Sequence, residues 1–255
     1  MNTPNKKCAV MQPTYLPWMG YFDLIDQVDK FVFLDDVQVE KSSWQLRNRI
    51  KTAQGELFLA ISRKKNKGQE LSLIKDTKID DTVNWRERHI KTIEIAYKKA
   101  DFFDEVFPFT KALIKSDITT LGSFNINIIK SICDRIGIKK EFVISSEIPD
   151  IEGIKDRRVV AICKAIGCDT YLSPTGAAEY INKNNPGGEF VKQNVTLFYH
   201  DYKPTAYKQL YGEFLPYVSI IDLLFNEGFN KSLEIVRSGR REKIHYSSFK
   251  KQGEL

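Results

Sequence analysis

The segment of this chain that allows the fewest folds is an unbroken apolar run, Phe31 to Leu34, which ends in two aspartates. Helices cover both faces of a parallel sheet, so the strands of such a sheet appear in a sequence as continuous apolar runs. The short run CAVM at 8–11 has the same character, and residues 141–148 and 194–202 are further strand candidates. These segments together predict a buried sheet.

Segments with helical character alternate with these strands. Residues 84–100 carry apolar side chains at helical spacing with charges between them, which is typical of an amphipathic helix. Another helix is expected from about 119 to 135, and residues 156–174 predict a helix, a turn at Gly167 and a strand. The alternation favours an α/β domain with a mostly parallel sheet flanked by helices.

Two more segments set the extent of this domain. ELFLAISR at 56–63 is expected to form one more strand, and YVSIIDLLFNEG at 217–228 predicts an apolar helix that stops at its glycine. We therefore expect a single α/β domain over residues 1–230, with a helical part at about 84–137. Residues 231–255 mix basic and polar side chains and predict a basic, mobile C-terminal tail.

The composition limits the class of protein. At 255 residues and 42% hydrophobic content, the chain can bury a core of useful size. The chain contains no apolar run long enough for a membrane helix, and its first residues lack the apolar core of a signal peptide. We therefore expect a cytoplasmic protein without a membrane span. The net charge of +6 is modest, whereas dedicated nucleic-acid binders have a denser basic face, so no nucleic-acid partner is expected.

Cysteine and histidine usage bears on redox and metal chemistry. The cysteines lie in apolar contexts without a C-x-x-C spacing, which predicts reduced, buried thiols at Cys8, Cys133, Cys163 and Cys168. The ligand spacing of a zinc site is absent as well. We therefore expect no metal site.

The aromatic segment, MQPTYLPWMGYF at 11–22, contains many large rings and no charge. If 8–11 is the first strand, this segment lies at the carboxyl end of a parallel sheet, where ligands bind in open α/β folds. Its polar-tipped rings are then platforms for a base or a sugar face. The alternative for each single ring is that it packs onto the core. The predicted substrate contacts are Gln12, Tyr15, Trp18 and Tyr21.

A polar set follows the second strand. Asp35 and Asp36 end that strand, and the arginine segment, KSSWQLRNRIK at 41–51, comes next. Paired carboxylates can act as a general base with its orienting partner, and arginines two apart on an extended chain can grip phosphates. The alternative is that these aspartates and arginines pair with each other. We predict a catalytic base, Asp36, and substrate contacts from Asp35, Lys41, Trp44, Arg47 and Arg49.

A third candidate set follows a late strand. YLSPTGAAEYI at 171–181 places small polar residues before a helical start, in the way that a helix N-terminus is presented to an anion. We predict that Ser173, Thr175 and Gly176 contact the substrate.

His200 ends another strand and is the histidine best placed to transfer a proton near neutral pH. We predict it as a second catalytic candidate. His89 is expected at the surface, and His245 lies in the basic tail. Tyr207 and Gln209, near a proline turn, are further candidates for substrate contacts.

Five segments of the chain resemble motifs of the WbqC-like family of bacterial proteins: QPTYLPWMGYFDLI, FVFLDDVQ, SSWQLRNRIK, Tyr-Leu-Ser at 171–173, and YVSIIDLLFNEG. The resemblance covers roughly residues 8 to 228. It implies a setting in O-antigen and other surface polysaccharide biosynthesis, and transfer of glycine or a similar acyl group to an amino sugar. Where the family often has a glycine after Tyr-Leu-Ser, this chain has Pro174 and, two places later, Gly176.

A more distant resemblance bears on the fold. A strand, then P-x-x-x-x-x-x-G-Y-x-x-L-I and V-D-K-F-V-F, is similar to the start of adenylyl-transferring nucleotidyltransferases, which implies a Rossmann-like topology. Those enzymes carry H-x-G-H on a helix N-terminus, where this chain has Trp18, Met19, Gly20 and Tyr21. Both histidines that stabilise the reacting phosphorus are missing, which argues against nucleotide transfer.

We expect an enzyme that attaches an acyl or aminoacyl group to the amino group of a nucleotide-linked amino sugar. The alternatives are a sugar-nucleotide-binding protein without catalysis and a nucleotidyltransferase-related enzyme. No Gly-rich coenzyme A signature is evident, so the acyl donor stays open, with a coenzyme A or carrier-protein thioester among the candidates. The sequence does not fix the oligomeric state, and a homodimer is among the alternatives.

Overall fold

The computed structural model of the protein describes residues 5–40, 42–64, 72–183 and 185–249. Its strands are β1 (Lys7–Met11), β2 (Lys30–Phe33), β3 (Arg47–Thr52), β4 (Gly55–Ala60), β5 (Glu141–Ile144), β6 (Thr170–Pro174), β7 (Thr196–His200) and β8 (Ile244–His245). The strands predicted at 8–11, 31–34, 141–148 and 194–202 correspond to β1, β2, β5 and β7, and the strand end of 156–174 corresponds to β6.

Six of these strands form one sheet in the order β5-β2-β1-β6-β7-β8. Neighbouring strands are parallel except at the edge, where β8 runs antiparallel to β7. When the parallel strands are counted along the chain, their order is 3-2-1-4-5, as in doubly wound folds. The order reverses between β1 and β6, so the loops after these strands border the crevice in which such folds bind ligands. The predicted α/β class is confirmed.

The central strands are buried on both faces, which explains their continuous apolar sequences. Phe31 and Phe33 of β2 belong to a large core on one side of the sheet, whereas Val32 belongs to a smaller core on the other. Cys8 of β1 joins the smaller core, where its Sγ lies 3.4 Å from Cys163 Sγ. The chain's cysteines are buried free thiols, as the sequence predicts.

Helices cover both faces of the sheet. The described helices are α1 (Met19–Asp26), α2 (Trp85–Tyr97), α3 (Phe103–Ile114), α4 (Leu121–Ile136), α5 (Lys155–Ala165), α6 (Ala178–Ile181), α7 (Gly188–Lys192) and α8 (Ile220–Ser238). The large core includes residues of α1 to α4 and α8, and the smaller core includes residues of α5 to α7. Within the described residues, no helix is both long and apolar enough to cross a membrane.

The helices predicted at 84–100 and 119–135 are present as α2 and α4. α4 ends before Gly137, whose φ of 86° suits a left-handed helix cap. α3 was not predicted, because Pro108 lies inside it and proline normally indicates a break in a helix.

The helix expected to stop at Gly228 is interrupted at that residue, as predicted, and a second helical segment follows it to Ser238. Gly228 has φ of 75° and ψ of 172°, which are not helical values, so α8 consists of two helical segments joined at a kink. A Cβ at this position would meet the ring of Phe102, so the kink needs a residue without a side chain.

The strand predicted at 56–63 is present as β4, but it lies outside the main sheet. It pairs antiparallel with β3 in a two-stranded sheet, in which Arg49 lies opposite Phe58. β3 also contacts α2 and α8, so this hairpin packs against the helical side of the molecule.

The boundary expected at residue 230 falls inside α8. After α8, Arg240 forms ion pairs with Asp23 and Asp26 of α1, and β8 extends the sheet beside β7. Phe249 packs on Tyr199 with ring centroids 4.4 Å apart. The described part of the C-terminal segment therefore belongs to the domain, and the rest of it lies outside the described residues.

Candidate functional site

The aromatic segment and the arginine segment meet at a cavity of about 340 Å³, which we call the aromatic cavity. It lies beyond the carboxyl end of β1, where ligands bind in folds of this class. Its volume is in the range of small-molecule sites. The lining residues are Met11, Thr14, Trp18, Tyr21, Trp44, Asn48, Arg49 and Tyr217.

Asn48 of β3 fixes the aromatic segment against the hairpin. Its side-chain amide donates hydrogen bonds to the carbonyls of Tyr15 and Leu16, at 3.1 and 2.8 Å. Leu16 has φ of 42°, a conformation that L-residues rarely adopt, and these bonds hold the turn. The start of α8 is tied to the same turn, because the Ile220 N–H donates to the Pro17 carbonyl at 2.8 Å.

Trp18 contributes its ring to the cavity and packs on its neighbours. A Cβ at Gly20 would collide with the indole, so the ring lies against the first turn of α1. The indole centroid lies 5.2 Å from the ring of Tyr217 and 5.4 Å from the ring of Tyr202. Gly20 is therefore required for this ring position.

Arg49 holds Tyr217 at the cavity. Its Nε donates to the Tyr217 carbonyl at 3.2 Å, and its Nη1 forms an ion pair with Glu56 at 2.6 Å. Tyr217 has φ of 59°, and its side chain is 44% exposed. An exposed ring on a backbone conformation of this kind is a candidate for ligand contact.

The remaining predicted contacts of the arginine segment are Trp44, Arg47 and Lys41, and among those that the structure describes only Trp44 lines the cavity. Trp44 lines the cavity and lies nearly parallel to the ring of Phe58. The Arg47 guanidinium lies 4.7 Å from the centroid of the Phe58 ring. Lys41 is outside the described residues.

Tyr15 packs onto the core, which is the alternative that the sequence leaves open for it. It is fully buried, and its hydroxyl lies 2.9 Å from Nδ1 of His89. Burial raises the pKa of Tyr15 and lowers the pKa of His89 to about 4. Tyr15 therefore does not present its ring to a ligand, and the surface position expected for His89 is wrong because that ring is buried.

Tyr21 and Gln12 occupy the inner side of the aromatic segment. Tyr21 lines the cavity, and its hydroxyl donates to the Gln12 carbonyl at 3.0 Å. Burial raises the pKa of the Tyr21 hydroxyl, so it remains an uncharged group. The Gln12 side chain accepts a hydrogen bond from Gln45 and is not part of the cavity lining.

Asp35 and Asp36 follow β2 and are hydrogen-bonded to Ser145, which follows β5. They do not line the aromatic cavity. Ser145 Oγ lies 3.0 Å from a carboxylate oxygen of Asp35 and 2.7 Å from one of Asp36. Asp36 also forms an ion pair with Arg158 of α5. The alternative pairing with the arginine segment is not observed, because the arginine that pairs with Asp36 comes from α5.

His200 ends β7, as predicted, and forms a buried pair with Asp23 of α1. Its Nε2 lies 2.7 Å from Asp23 Oδ2, and Arg240 Nε donates to Asp23 Oδ1 at 2.9 Å. Tyr202 separates this pair from the cavity. The centroid of its ring lies 5.7 Å from that of His200 and 5.4 Å from that of Trp18. His200 does not line the cavity.

The loop after β6 is also separate from the aromatic cavity. Ser173 is buried and donates to the Pro174 carbonyl at 3.2 Å, whereas Thr175 and Gly176 are exposed. The helix that follows, α6, has only 4 residues, so little helix dipole lies behind this turn.

Tyr207 and Gln209 belong to a buried network around Asp222 of α8. The hydroxyls of Tyr207 and Tyr97 donate to the Asp222 carboxylate at 2.8 and 2.9 Å. Burial raises the pKa of Asp222, although hydrogen bonds from Tyr207 and Tyr97 oppose that effect. Gln209 Nε2 donates to the Tyr207 hydroxyl at 3.2 Å. These side chains position the segment that leads to the cavity.

Sequence reasoning did not identify several residues of the site and its surroundings. Asn48 lies between Arg47 and Arg49 on a strand. Because successive side chains of a strand point to opposite faces, this position indicates that Asn48 faces away from the two arginines. Asp23 is a charge within the mostly apolar helix sequence MGYFDLID, and such a charge indicates a buried partner. Tyr217 has no comparable signal, because its position depends on a positive φ.

The similarity of this chain to known proteins extends over most of its length. The model of the WbqC-like protein family matches residues 12–234. The uncharacterized protein Rv1507c of Mycobacterium tuberculosis is 35% identical over 225 residues, which are 88% of this chain and 94% of that protein. No solved structure gives a significant match. The chain therefore belongs to the WbqC-like protein family.

Proposed function

We propose that the protein binds a nucleotide-linked amino sugar in the aromatic cavity and attaches an acyl or aminoacyl group to its amino group. The observation that carries this proposal is the convergence of the aromatic and arginine segments on one cavity. Aromatic side chains line sites for sugars and bases, and guanidinium groups bind phosphates. The proposed setting is the biosynthesis of O-antigen or other surface polysaccharides, for which such sugars are precursors.

The proposed reaction has simple requirements. The amino nitrogen attacks the carbonyl carbon of a thioester donor, a C–N bond forms, the C–S bond breaks, and the nitrogen loses a proton to a base. Among the described groups we assign this base to His200, because Asp23 holds its ring in one orientation. Tyr202 lies between His200 and the cavity, so this proton transfer requires the amino group of the bound sugar to extend past the Tyr202 ring.

A second candidate is binding of a sugar nucleotide without catalysis. Among the described residues, the cavity is lined by no histidine, carboxylate, lysine or cysteine. Asp36 lies away from it in an ion pair with Arg158, and His200 lies away from it with its Nε2 2.7 Å from Asp23 Oδ2. A protein of this kind would deliver the sugar nucleotide to an enzyme of polysaccharide assembly.

Binding is the first test of the proposal. Titration calorimetry with UDP-linked and dTDP-linked amino sugars should show saturable binding, which Tyr217→Ala and Trp18→Leu weaken. A ligand at a hundred times its Kd should also raise the free energy of unfolding by about 2.7 kcal/mol. Failure of every sugar nucleotide in the panel to bind would reject the proposal.

Turnover separates the two candidates. Mass spectrometry of the amino sugar, incubated with a coenzyme A thioester or an acyl carrier thioester, should detect an N-acylated product. His200→Gln should abolish that product while sugar-nucleotide binding persists, and Asp36→Asn should not. Tight binding with no product from any thioester would favour the second candidate.

A further inference from the structure

The outer face of the β3–β4 hairpin carries an exposed aromatic surface beside the aromatic cavity. Trp44 is 51% exposed and Phe58 is 39% exposed, although both are large apolar side chains. Their rings have an interplanar angle of 29° and centroids 6.3 Å apart. Exposed rings of this kind are platforms for a nucleobase, because every base has a flat face that stacks on them.

The two arginines of β3 differ in their capacity to bind an anion. Arg49 is committed to the Glu56 carboxylate and the Tyr217 carbonyl. Arg47 stacks on Phe58, and no carboxylate of the described residues forms an ion pair with it. Stacking on a ring leaves the guanidinium N–H groups in their plane for a phosphate. Arg47 is therefore the arginine available to a ligand.

Trp44 connects this surface to the cavity. It lines the cavity together with Trp18 and Tyr217, and it stacks on Phe58 outside it. A ligand that extends from one to the other needs a compact group inside, an anionic group near Arg47 and a flat group on the outer rings. A sugar linked to a nucleoside diphosphate contains these three parts.

We infer that Trp44, Phe58 and Arg47 form the nucleoside diphosphate half of the site, and that the sugar half lies in the aromatic cavity. This inference rests on the proposed function and adds the orientation of the ligand. It also assigns the phosphates to Arg47, whereas Arg49 is a positioning residue that holds Tyr217 at the sugar half.

Calorimetric titrations with ligand fragments test this orientation. UDP probes the outer half alone, a UDP-linked amino sugar probes both halves, and farnesyl diphosphate tests whether an apolar chain prefers the outer rings. The variants are Arg47→Met, Trp44→Ala and Arg49→Met. The matched control is Arg157→Met, which removes a 72% exposed arginine side chain on α5. Thermal unfolding of each variant confirms that it is folded.

Arg47→Met and Trp44→Ala should each weaken UDP binding about tenfold, because they remove a charge-assisted contact and a stacking face. Arg47→Met should also reduce the dependence of UDP affinity on salt. Arg49→Met should lower the affinity for the UDP-linked sugar and leave the affinity for UDP unchanged. Arg157→Met should leave the affinities for both ligands unchanged.

The orientation is overturned if UDP affinity is unchanged in Arg47→Met and Trp44→Ala while the sugar nucleotide still binds and Tyr217→Ala weakens it. In that case the cavity remains the binding site and the proposed function stands. Tighter binding of farnesyl diphosphate than of UDP would also overturn it. Failure of every sugar nucleotide to bind the wild type would reject the proposed function and this inference together.

Discussion

Gly20 determines where the Trp18 indole lies, and a single methyl group tests that relationship. Alanine in a helix normally stabilises it relative to glycine, by roughly 0.5–1 kcal/mol. At position 20 the added Cβ would collide with the indole, and overpacking costs about 1–3 kcal/mol. We therefore expect Gly20→Ala to lower the free energy of unfolding in a urea titration and to shift the tryptophan fluorescence.

The matched control for this substitution is Gly176→Ala, because a Cβ there meets nothing within 4 Å. That variant should be as stable as the wild type. Equal stability of the two variants would mean that the Trp18 ring moves aside without cost.

His89 makes the stability of the protein depend on pH. Burial lowers its pKa to about 4, whereas an unfolded chain has a histidine pKa of about 6.5. Between these values the unfolded state binds the extra proton, so stability falls as the pH decreases through this window. The contribution lost is about 3 kcal/mol in full. His89→Gln should flatten the curve of unfolding free energy against pH, measured by urea denaturation from about pH 7 to 4.

Carboxylates that titrate in the same range affect the wild type and the variant equally. The difference between the two curves therefore isolates His89. Parallel curves would show that the ring is not kept neutral by its buried position.

The sequence does not distinguish Tyr15 from Trp18, although only one of them reaches the cavity. Both are large rings in the same uncharged segment. The difference arises from the turn at Leu16 and from the hydrogen bonds of Asn48, which come from another element. The pattern of residue types within the aromatic segment contains no information about Asn48, which belongs to β3. The pattern therefore identified the segment but not which of its rings reaches the cavity.

At the scale of elements, the segment between β7 and α8 depends on a buried lysine. Lys51 of β3 donates to Gln209 Oε1 at 3.1 Å and to the Glu213 carbonyl. Lys51→Met removes the donor to both acceptors and leaves Gln209 Oε1 with the Leu215 N–H as its remaining donor, and the loss of buried hydrogen bonds costs about 1–3 kcal/mol. We expect faster amide hydrogen exchange in residues 209–217 and weaker binding of sugar nucleotides, because Tyr217 lies at the end of this segment.

Lys208→Met is the control for this prediction, because Lys208 is an exposed residue of the same segment that pairs with Asp101 at the surface. Surface pairs contribute little to stability, so exchange and binding should be unchanged. If the two variants behave alike, the buried lysine does not hold the segment.

Local sequence predicted the type of most elements better than their partners. The apolar runs of β1 and β2 were sufficient to predict buried parallel strands, because two-sided burial leaves a pattern in the strand itself. The sequence of β4 also predicted a strand, yet its pairing with β3 outside the main sheet is set by the packing of the hairpin on α2 and α8. Gly228 indicated a helix end, and the first segment of α8 does end there, but the sequence did not predict the second segment that follows to Ser238.

At the scale of the whole molecule, the sheet order explains why distant segments share one site. The order reverses between β1 and β6, so the loop after β1 is free to meet the hairpin and the start of α8. The N–H groups of Ser219 and Ile220 donate to the carbonyls of Arg49 and Pro17, which joins the start of α8 to the hairpin and to the loop after β1. The fold class was therefore predictable, whereas the surroundings of Asp36 and His200 depend on partners in α5 and α1.

The final prediction concerns the segment after α8, which composition alone assigns to a mobile tail. Arg240 pairs with Asp23, whose side chain is fully buried, and β8 pairs with β7. A chain that ends at Ser238 loses both contacts, and removing one partner of a buried ion pair costs about 3–5 kcal/mol. A chain that ends at Phe249 retains both the Arg240–Asp23 pair and the pairing of β8 with β7. We expect the chain that ends at Ser238 to have a clearly lower urea midpoint than the chain that ends at Phe249, whereas equal midpoints would show that residues 239–249 contribute nothing to the folded domain.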